Sequence, residues 1–130
     1  MTEGTIIGID LSKRFMQLCV VDGAGAVVEE RRVPRDRLIE AIGRHPGAVV
    51  AMEACGGAHH WGRTVAPLGH EVRLLSAYRV KAYRDPGCKD DRRDARAICE
   101  AGRRRQEHAI PVKDAEVQAV VETAHENGKV

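Results

Sequence analysis

Short apolar runs separated by turn residues set the pattern of the first part of the chain. Positions 6–9 and 15–21 are rich in apolar and β-branched residues, and 26–33 begins with Ala-Val-Val and ends with a valine. Runs of this length and type predict three strands. Asp22-Gly23-Ala24-Gly25 lies between the last two and is typical of a hairpin turn. Because a parallel return needs about a dozen residues, the three strands are expected to be antiparallel.

Helical and strand patterns alternate after Pro34. Apolar residues at 38, 39 and 42 have helical spacing, whereas 48–52 is a continuous apolar run that predicts a strand covered on both faces. The remaining predicted elements are helices over 36–43, 58–68, 77–83 and 90–100, the last ended by Gly102, and a strand over 71–75. The order β-β-β-α-β-α-β-α-α predicts an α/β fold with a mixed five-stranded sheet and helices on both faces. This order is that of the ribonuclease H-like (RuvC-like) fold.

The length and composition fit one small domain with an aliphatic core. The chain has 130 residues, of which 3% are aromatic. We expect residues 1–105 to form the domain and 106–130 a linker or helical tail. No apolar run approaches the roughly 20 residues that span a bilayer, and no signal peptide is visible. These features predict a cytoplasmic protein that does not contact a membrane.

Cysteine and histidine residues are scattered along the chain. The spacing of the four cysteines contains no CxxC motif, which argues against a zinc knuckle or a thioredoxin-type site. Cys19 and Cys55 lie in or beside apolar runs and are expected to be buried thiols. His59 and His60 follow two glycines at a predicted helix start, where a surface or capping role is favoured over metal binding.

Positive charge is concentrated in one segment. Residues 79–105 contain ten Lys or Arg and five Asp or Glu, whereas the rest of the chain has 11 basic and 14 acidic residues. A basic segment of this kind suits contacts with nucleic-acid phosphates, but charge alone favours a solvated helix face of mixed charge. The candidate nucleic-acid-binding residues are Lys89, Arg92, Arg93 and Arg96.

Four carboxylates are placed where they could hold a divalent cation. Asp10 and Glu53 each end an apolar strand, and a buried strand that ends on an acid requires a partner for that acid. Asp91 and Asp94 are three residues apart on one face of a predicted helix. If the strands ending at Asp10 and Glu53 are parallel neighbours, both acids lie at the carboxyl end of the sheet, where ligands usually bind. We therefore predict Asp10, Glu53, Asp91 and Asp94 as catalytic and metal-binding residues, with Mg²⁺ or Mn²⁺ as the cofactor.

Three motifs in the chain resemble the transposases of the insertion-sequence 110 family, in particular the insertion-sequence 1111-like subgroup. The motifs are Ile7-Gly8-Ile9-Asp10-Leu11-Ser12-Lys13, Met52-Glu53-Ala54-Cys55-Gly56-Gly57 and Lys89-Asp90-Asp91-Arg92-Arg93-Asp94-Ala95. They look like the family's opening strand, its glutamate motif and its K-x-D-x-x-D-A motif. Shorter similarities at 97–101 and 111–113 extend the resemblance over about residues 5 to 121.

The resemblance implies a fold, an activity and partners. Family members have an amino-terminal RuvC-like domain with a DEDD tetrad, which here falls on Asp10, Glu53, Asp91 and Asp94. They excise and insert mobile DNA with divalent metal and, in studied members, a structured guide RNA. A further domain of the family carries a serine nucleophile, and its sequence is not recognised after Val121. The resemblance therefore implies an amino-terminal domain of a truncated transposase, with DNA and, as in the studied members, a guide RNA as partners. Homo-oligomers are expected on a separate ground, the free edges of so small a sheet.

Three other functions are compatible with the sequence. A nuclease of the Holliday-junction resolvase kind would use the same acids. A non-catalytic remnant would bind nucleic acid or dimerise without cleavage. An ATP-binding half of the sugar-kinase or actin type would have a glycine-rich turn after the first strand, but Leu11-Ser12-Lys13 stands there instead.

Overall fold

The structure is a computed structural model that describes residues 4–11, 14–83, 91–103 and 110–112, without the side chains of 91–93. The strands are β1 (Ile6–Asp10), β2 (Phe15–Val21), β3 (Val27–Pro34), β4 (Val49–Glu53) and β5 (Val72–Leu75). The helices are α1 (Leu38–Gly43), α2 (Gly56–Val65), α3 (Ala77–Lys81) and α4 (Asp91–Arg103), and 3-10 turns at Arg35–Arg37 and Ala66–Leu68 precede α1 and follow α2. The predicted α/β class with a mixed five-stranded sheet is confirmed.

The strands form one sheet in the order β3-β2-β1-β4-β5. β2 is antiparallel to both β1 and β3, whereas β4 is parallel to both β1 and β5. The hairpin between β2 and β3 is held by Asp22, whose Oδ1 accepts hydrogen bonds from the amides of Ala24 at 2.9 Å and Ala26 at 3.0 Å. Side-chain hydrogen bonds of this kind are why Asp favours tight turns.

Helices cover both faces of the sheet, and each face has its own apolar layer. Alternate residues of a strand point to opposite faces, so Ile7 and Ile9 pack with α1 and α2. Ile6 points the other way and packs with α3 and α4. The central strands are therefore apolar on both sides, which explains the uninterrupted apolar runs in the sequence.

Helix α4 lies closely against the middle of the sheet. A Cβ atom added to Gly8 would come within 2.6 Å of the Ala95 carbonyl oxygen and 2.7 Å of the Cys99 amide nitrogen. The expectation that Gly102 ends this helix is wrong, because α4 continues to Arg103. A Cβ atom on Gly102 would lie 2.8 Å from the Cβ of Ala51. Gly102 thus permits close packing of helix and sheet and does not act as a stop signal.

Residues 110–112 pack beside the last strand. The Ile110 amide donates a hydrogen bond of 2.6 Å to the Leu74 carbonyl, and Val112 packs against the α1–α2 layer. The expected domain boundary between 105 and 106 lies outside the described residues. None of the described helices is both long enough and apolar enough to cross a membrane.

Candidate active site

Asp10 and Glu53 lie side by side at the carboxyl ends of two neighbouring strands. The parallel register pairs Ile9 with Met52, so each acid is the next residue of its strand. Both acids are partly buried and line one pocket of about 240 Å³ together with Leu11 and Cys55. Parallel pairing at the ends of two buried strands is therefore what brings together two carboxylates 43 positions apart in the sequence.

The face on which these acids lie follows from the alternation of side chains. Ile6 and Ala51 belong to the apolar layer under α3 and α4, and Asp10 and Glu53 follow them at even spacing on the same strands. Both carboxylates therefore project to the α4 side of the sheet.

Helix α4 carries the second pair of predicted acids towards the same end of the sheet. Ala95 and Cys99 lie over Gly8, and a Cβ atom on Gly102 would lie 3.9 Å from Ile6. The helix thus runs antiparallel to β1, and its first turn lies nearest the end of β1 at Asp10. Asp94 is partly buried, and its Oδ1 atom is buried.

The structure brings together two of the four predicted acids in one pocket. Asp94 lies on the helix turn at the same end of the sheet, while the side chain of Asp91 lies outside the described part. The side chains that the structure describes contain no group of three or more His, Cys, Asp or Glu residues that could hold a metal ion. The four-carboxylate cluster therefore stays a prediction.

The pocket nevertheless has the chemistry that a hard cation requires. Its two acids supply carboxylate oxygens, the ligand type that Mg²⁺ and Mn²⁺ prefer, and Mg²⁺ is usually bound by one or two carboxylates plus water and phosphate. A volume of about 240 Å³ also exceeds the roughly 30 Å³ that one water occupies in the liquid. The described residues thus fit a divalent cation with several of its own water ligands.

Cys55 has a different position from the one expected. It is exposed, not buried, because it stands in the loop between β4 and α2. Its Sγ accepts a hydrogen bond of 3.4 Å from the Ala58 amide and so caps α2. Cys55 and Leu11 line the pocket but were not predicted as site residues. Their positions one and two residues after strand ends, Leu11 after β1 and Cys55 after β4, are the sequence signal that could have identified them.

The paired histidines lie on α2 and are not among the residues that line the pocket. The expected surface or capping role is wrong for His59, which is buried, whereas His60 is exposed. The ring of His60 meets Trp61 edge-on at 5.3 Å between centroids. The exposed position of His60 agrees with the expected surface role.

The predicted nucleic-acid-binding residues are described only in part. Lys89 and the side chains of Arg92 and Arg93 lie outside the described residues. Arg96 is exposed and forms an ion pair with Glu30 of β3 through its Nε atom. A phosphate that binds Arg96 therefore has to compete with this carboxylate.

Comparisons of the sequence with a family model and with known proteins all indicate transposases. Residues 7–126 match the family model of the DEDD transposases of insertion sequence 110, whose description is transposase. A "probable family 20 transposase" of Pseudomonas aeruginosa is 46% identical over 114 residues, which cover 88% of this chain and 33% of that protein.

Two further relatives are transposases of named insertion sequences. The transposase for IS1111A of Coxiella burnetii is 39% identical over 120 residues, covering 92% of this chain and 33% of the relative. The transposase for IS1328 of Yersinia enterocolitica is 35% identical over 120 residues, covering 92% of this chain and 36% of that relative. The chain thus spans about a third of the length of these relatives.

Proposed function

Because this chain belongs to the insertion-sequence 110 family of DEDD transposases, we propose that it forms the metal-dependent, phosphodiester-cleaving domain of such an enzyme. The observation that supports this most directly is the shared pocket of Asp10 and Glu53 at the ends of parallel strands, below the first turn of α4. DNA is the proposed substrate, with a guide RNA and further copies of the chain as proposed partners.

The finer fold assignment belongs to this proposal. Three antiparallel strands followed by two parallel ones, in the order β3-β2-β1-β4-β5, support a ribonuclease H-like (RuvC-like) fold. Such an arrangement places the ligand site at the carboxyl ends of β1 and β4. The location of the pocket agrees with that expectation.

Asp10, Glu53, Asp91 and Asp94 would hold Mg²⁺ or Mn²⁺. A bound divalent cation supplies Lewis-acid stabilisation of a phosphoryl oxygen and lowers the pKa of a bound water. The role of the protein is to fix the carboxylates: Asp10 and Glu53 by the parallel strands, and Asp91 and Asp94 by the rigid contact of α4 with Gly8. Without a cation these negative groups would repel a phosphate, so cleavage should depend strictly on metal.

Calorimetric titration with Mg²⁺ and Mn²⁺ tests the proposal. Glu53→Gln removes one charged ligand while keeping the side-chain shape. We expect metal affinity to fall about tenfold or more, because even the loss of a residue that only hydrogen-bonds a metal ligand lowers affinity by that factor. Glu71→Gln is a matched control, because Glu71 is exposed and immediately precedes β5, at the opposite end of the sheet. Equal metal affinity of wild type and Glu53→Gln would contradict the proposal.

A second candidate function is nucleic-acid binding without cleavage. It is favoured by the positive charge concentrated in residues 79–105, where Arg96 is exposed. A labelled DNA duplex and a labelled four-way junction, each incubated with Mg²⁺ or Mn²⁺, separate the two functions. Metal-dependent cleavage that is lost in Asp10→Asn supports the phosphodiester-cleaving domain. Binding of both DNAs without any cleavage supports nucleic-acid binding alone.

A further inference from the structure

A row of polar side chains continues from the acidic pocket across the sheet. The strand registers pair Asp10 of β1 with Gln17 of β2, and Gln17 with Arg32 of β3. Directly paired residues of antiparallel strands project to the same face of a sheet. Gln17 and Arg32 therefore lie on the α4 side with Asp10, and Arg32 stands two strands, or about 10 Å, from it.

Phe15 extends this row on the same face. It precedes Gln17 by two positions on β2, and the Arg32 guanidinium lies 4.5 Å from the centroid of its ring. Phe15 is 38% exposed, so the core covers only part of its ring. The uncovered part lies beside a cation at the end of the sheet that holds the acids and is available for a contact with a ligand.

Arg32 differs from those arginines of the described residues that form ion pairs with glutamates. These include Arg31, Arg37, Arg73, Arg96 and Arg103. Arg32 is exposed and, among the described residues, contacts the Phe15 ring and no carboxylate. This corner of the sheet therefore presents positive charge that is not neutralised by an ion pair within the described part of the chain.

We propose that Phe15 and Arg32 form a binding subsite for one unpaired polynucleotide strand, with Gln17 between this subsite and the acidic pocket. Arg32 binds a backbone phosphate, and the exposed part of the Phe15 ring stacks with a base. Stacking on an aromatic ring beside a positively charged groove is the usual way in which proteins bind single strands without sequence preference. The course of this polynucleotide strand, from the subsite into the acidic pocket, rests on the proposed function.

The separation and chemistry fit a strand and not an isolated anion. About 10 Å between Arg32 and Asp10 leaves room for the subsite and the pocket to bind different nucleotides of the same strand. A free phosphate would use Arg32 but would gain nothing from the Phe15 ring. A duplex would shield its bases from the ring, since bases must be unstacked to meet an aromatic side chain.

Fluorescence anisotropy of the 130-residue chain with short labelled oligothymidine and oligouridine tests the subsite. The titrations are run in EDTA, so that neither metal binding nor cleavage contributes. Phe15→Ala should weaken binding about 5- to 150-fold with an unchanged salt dependence, because one stacked base is lost. Arg32→Ala should reduce the slope of log K against log salt by about 0.7, because one phosphate contact is lost. Comparison of the two oligonucleotides shows whether DNA or RNA is the preferred strand.

Arg31→Ala is the matched control, because Arg31 is the adjacent residue of β3 and faces the opposite side of the sheet, paired with Leu18. Phe15→Tyr should restore binding, and circular dichroism melts identify any variant that fails to fold. The subsite is wrong if wild type binds neither oligonucleotide, if Phe15→Ala and Arg32→Ala bind as wild type does, or if Arg31→Ala loses as much. Metal affinity measured separately on Phe15→Ala should equal that of wild type, so failure of the subsite and failure of the metal site are distinguishable.

Discussion

Single residues at the contact between α4 and β1 decide whether the acids can meet. Gly8 is the middle residue of β1, which pairs with β2 on one side and with β4 on the other. It lies directly under Ala95 and Cys99 of α4. Any side chain at this position meets helix backbone, which cannot rotate away as a flexible side chain can. The residue therefore controls the height of α4 above the strand that ends at Asp10.

Replacement of Gly8 by alanine should destabilise the fold and weaken the metal site together. Its Cβ would come within 2.6 Å of backbone at α4, and overpacking of this kind costs about 1–3 kcal/mol. Urea denaturation measures the loss. Gly43→Ala is the control, because nothing lies within 4 Å of a Cβ atom there and the effect should be close to neutral. An unchanged urea midpoint for Gly8→Ala would contradict the close contact.

At the scale of elements, α4 and its sheet partners form the contact that carries the site. Cys99 of α4 lies over Gly8, whose partner on β2 is Cys19, so the two thiols are neighbours within the same apolar layer. The hydrogen bond with Cys19 and burial raise the pKa of the Cys99 thiol, while the same hydrogen bond lowers the pKa of Cys19. Cys99 therefore stays a protonated and unreactive thiol at neutral pH.

Alkylation with iodoacetamide at mildly alkaline pH, followed by peptide mass spectrometry, should report the docking of α4. The exposed Cys55 should react in the native protein, whereas Cys19 and Cys99 should react only when α4 detaches or the protein unfolds. Gly8→Ala should accelerate labelling of Cys99 and leave that of Cys55 unchanged. Labelling of native Cys99 as fast as Cys55 would show that the helix is not held as described.

Sequence patterns located most elements but not their contacts. The strand over 15–21 occurs as predicted. The roles of Gly102 and Cys55 were not predicted correctly, because local patterns do not reveal which backbone approaches a glycine or which loop exposes a thiol. Asp10 and Glu53 were predictable because each ends an apolar run. Arg32 was not, since its position beside the pocket follows from strand register alone.

At the scale of the whole molecule, binding at the strand ends should be coupled to the stability of the fold. Two strands and a helix supply the acids, so a cation that binds the folded chain and not the unfolded one stabilises the entire domain. At a metal concentration 100 times the dissociation constant the gain is about 2.7 kcal/mol. Thermal melts with and without Mn²⁺ should show this gain in wild type and Glu71→Gln. In Glu53→Gln a tenfold loss of affinity should reduce the gain to about 1.4 kcal/mol or less. A melting temperature independent of metal in wild type would count against the site.

The contact of Ile110 with Leu74 has a consequence for the two flanks of the sheet. Ile110 lies on the β5 flank, while Phe15 and Arg32 occupy the β2–β3 flank, four strand spacings or about 19 Å away from β5 to β3. A nucleic-acid strand bound at Phe15 and Arg32 would therefore approach the acids from the side opposite to Ile110. The β5 flank would stay free for a different contact at the same time.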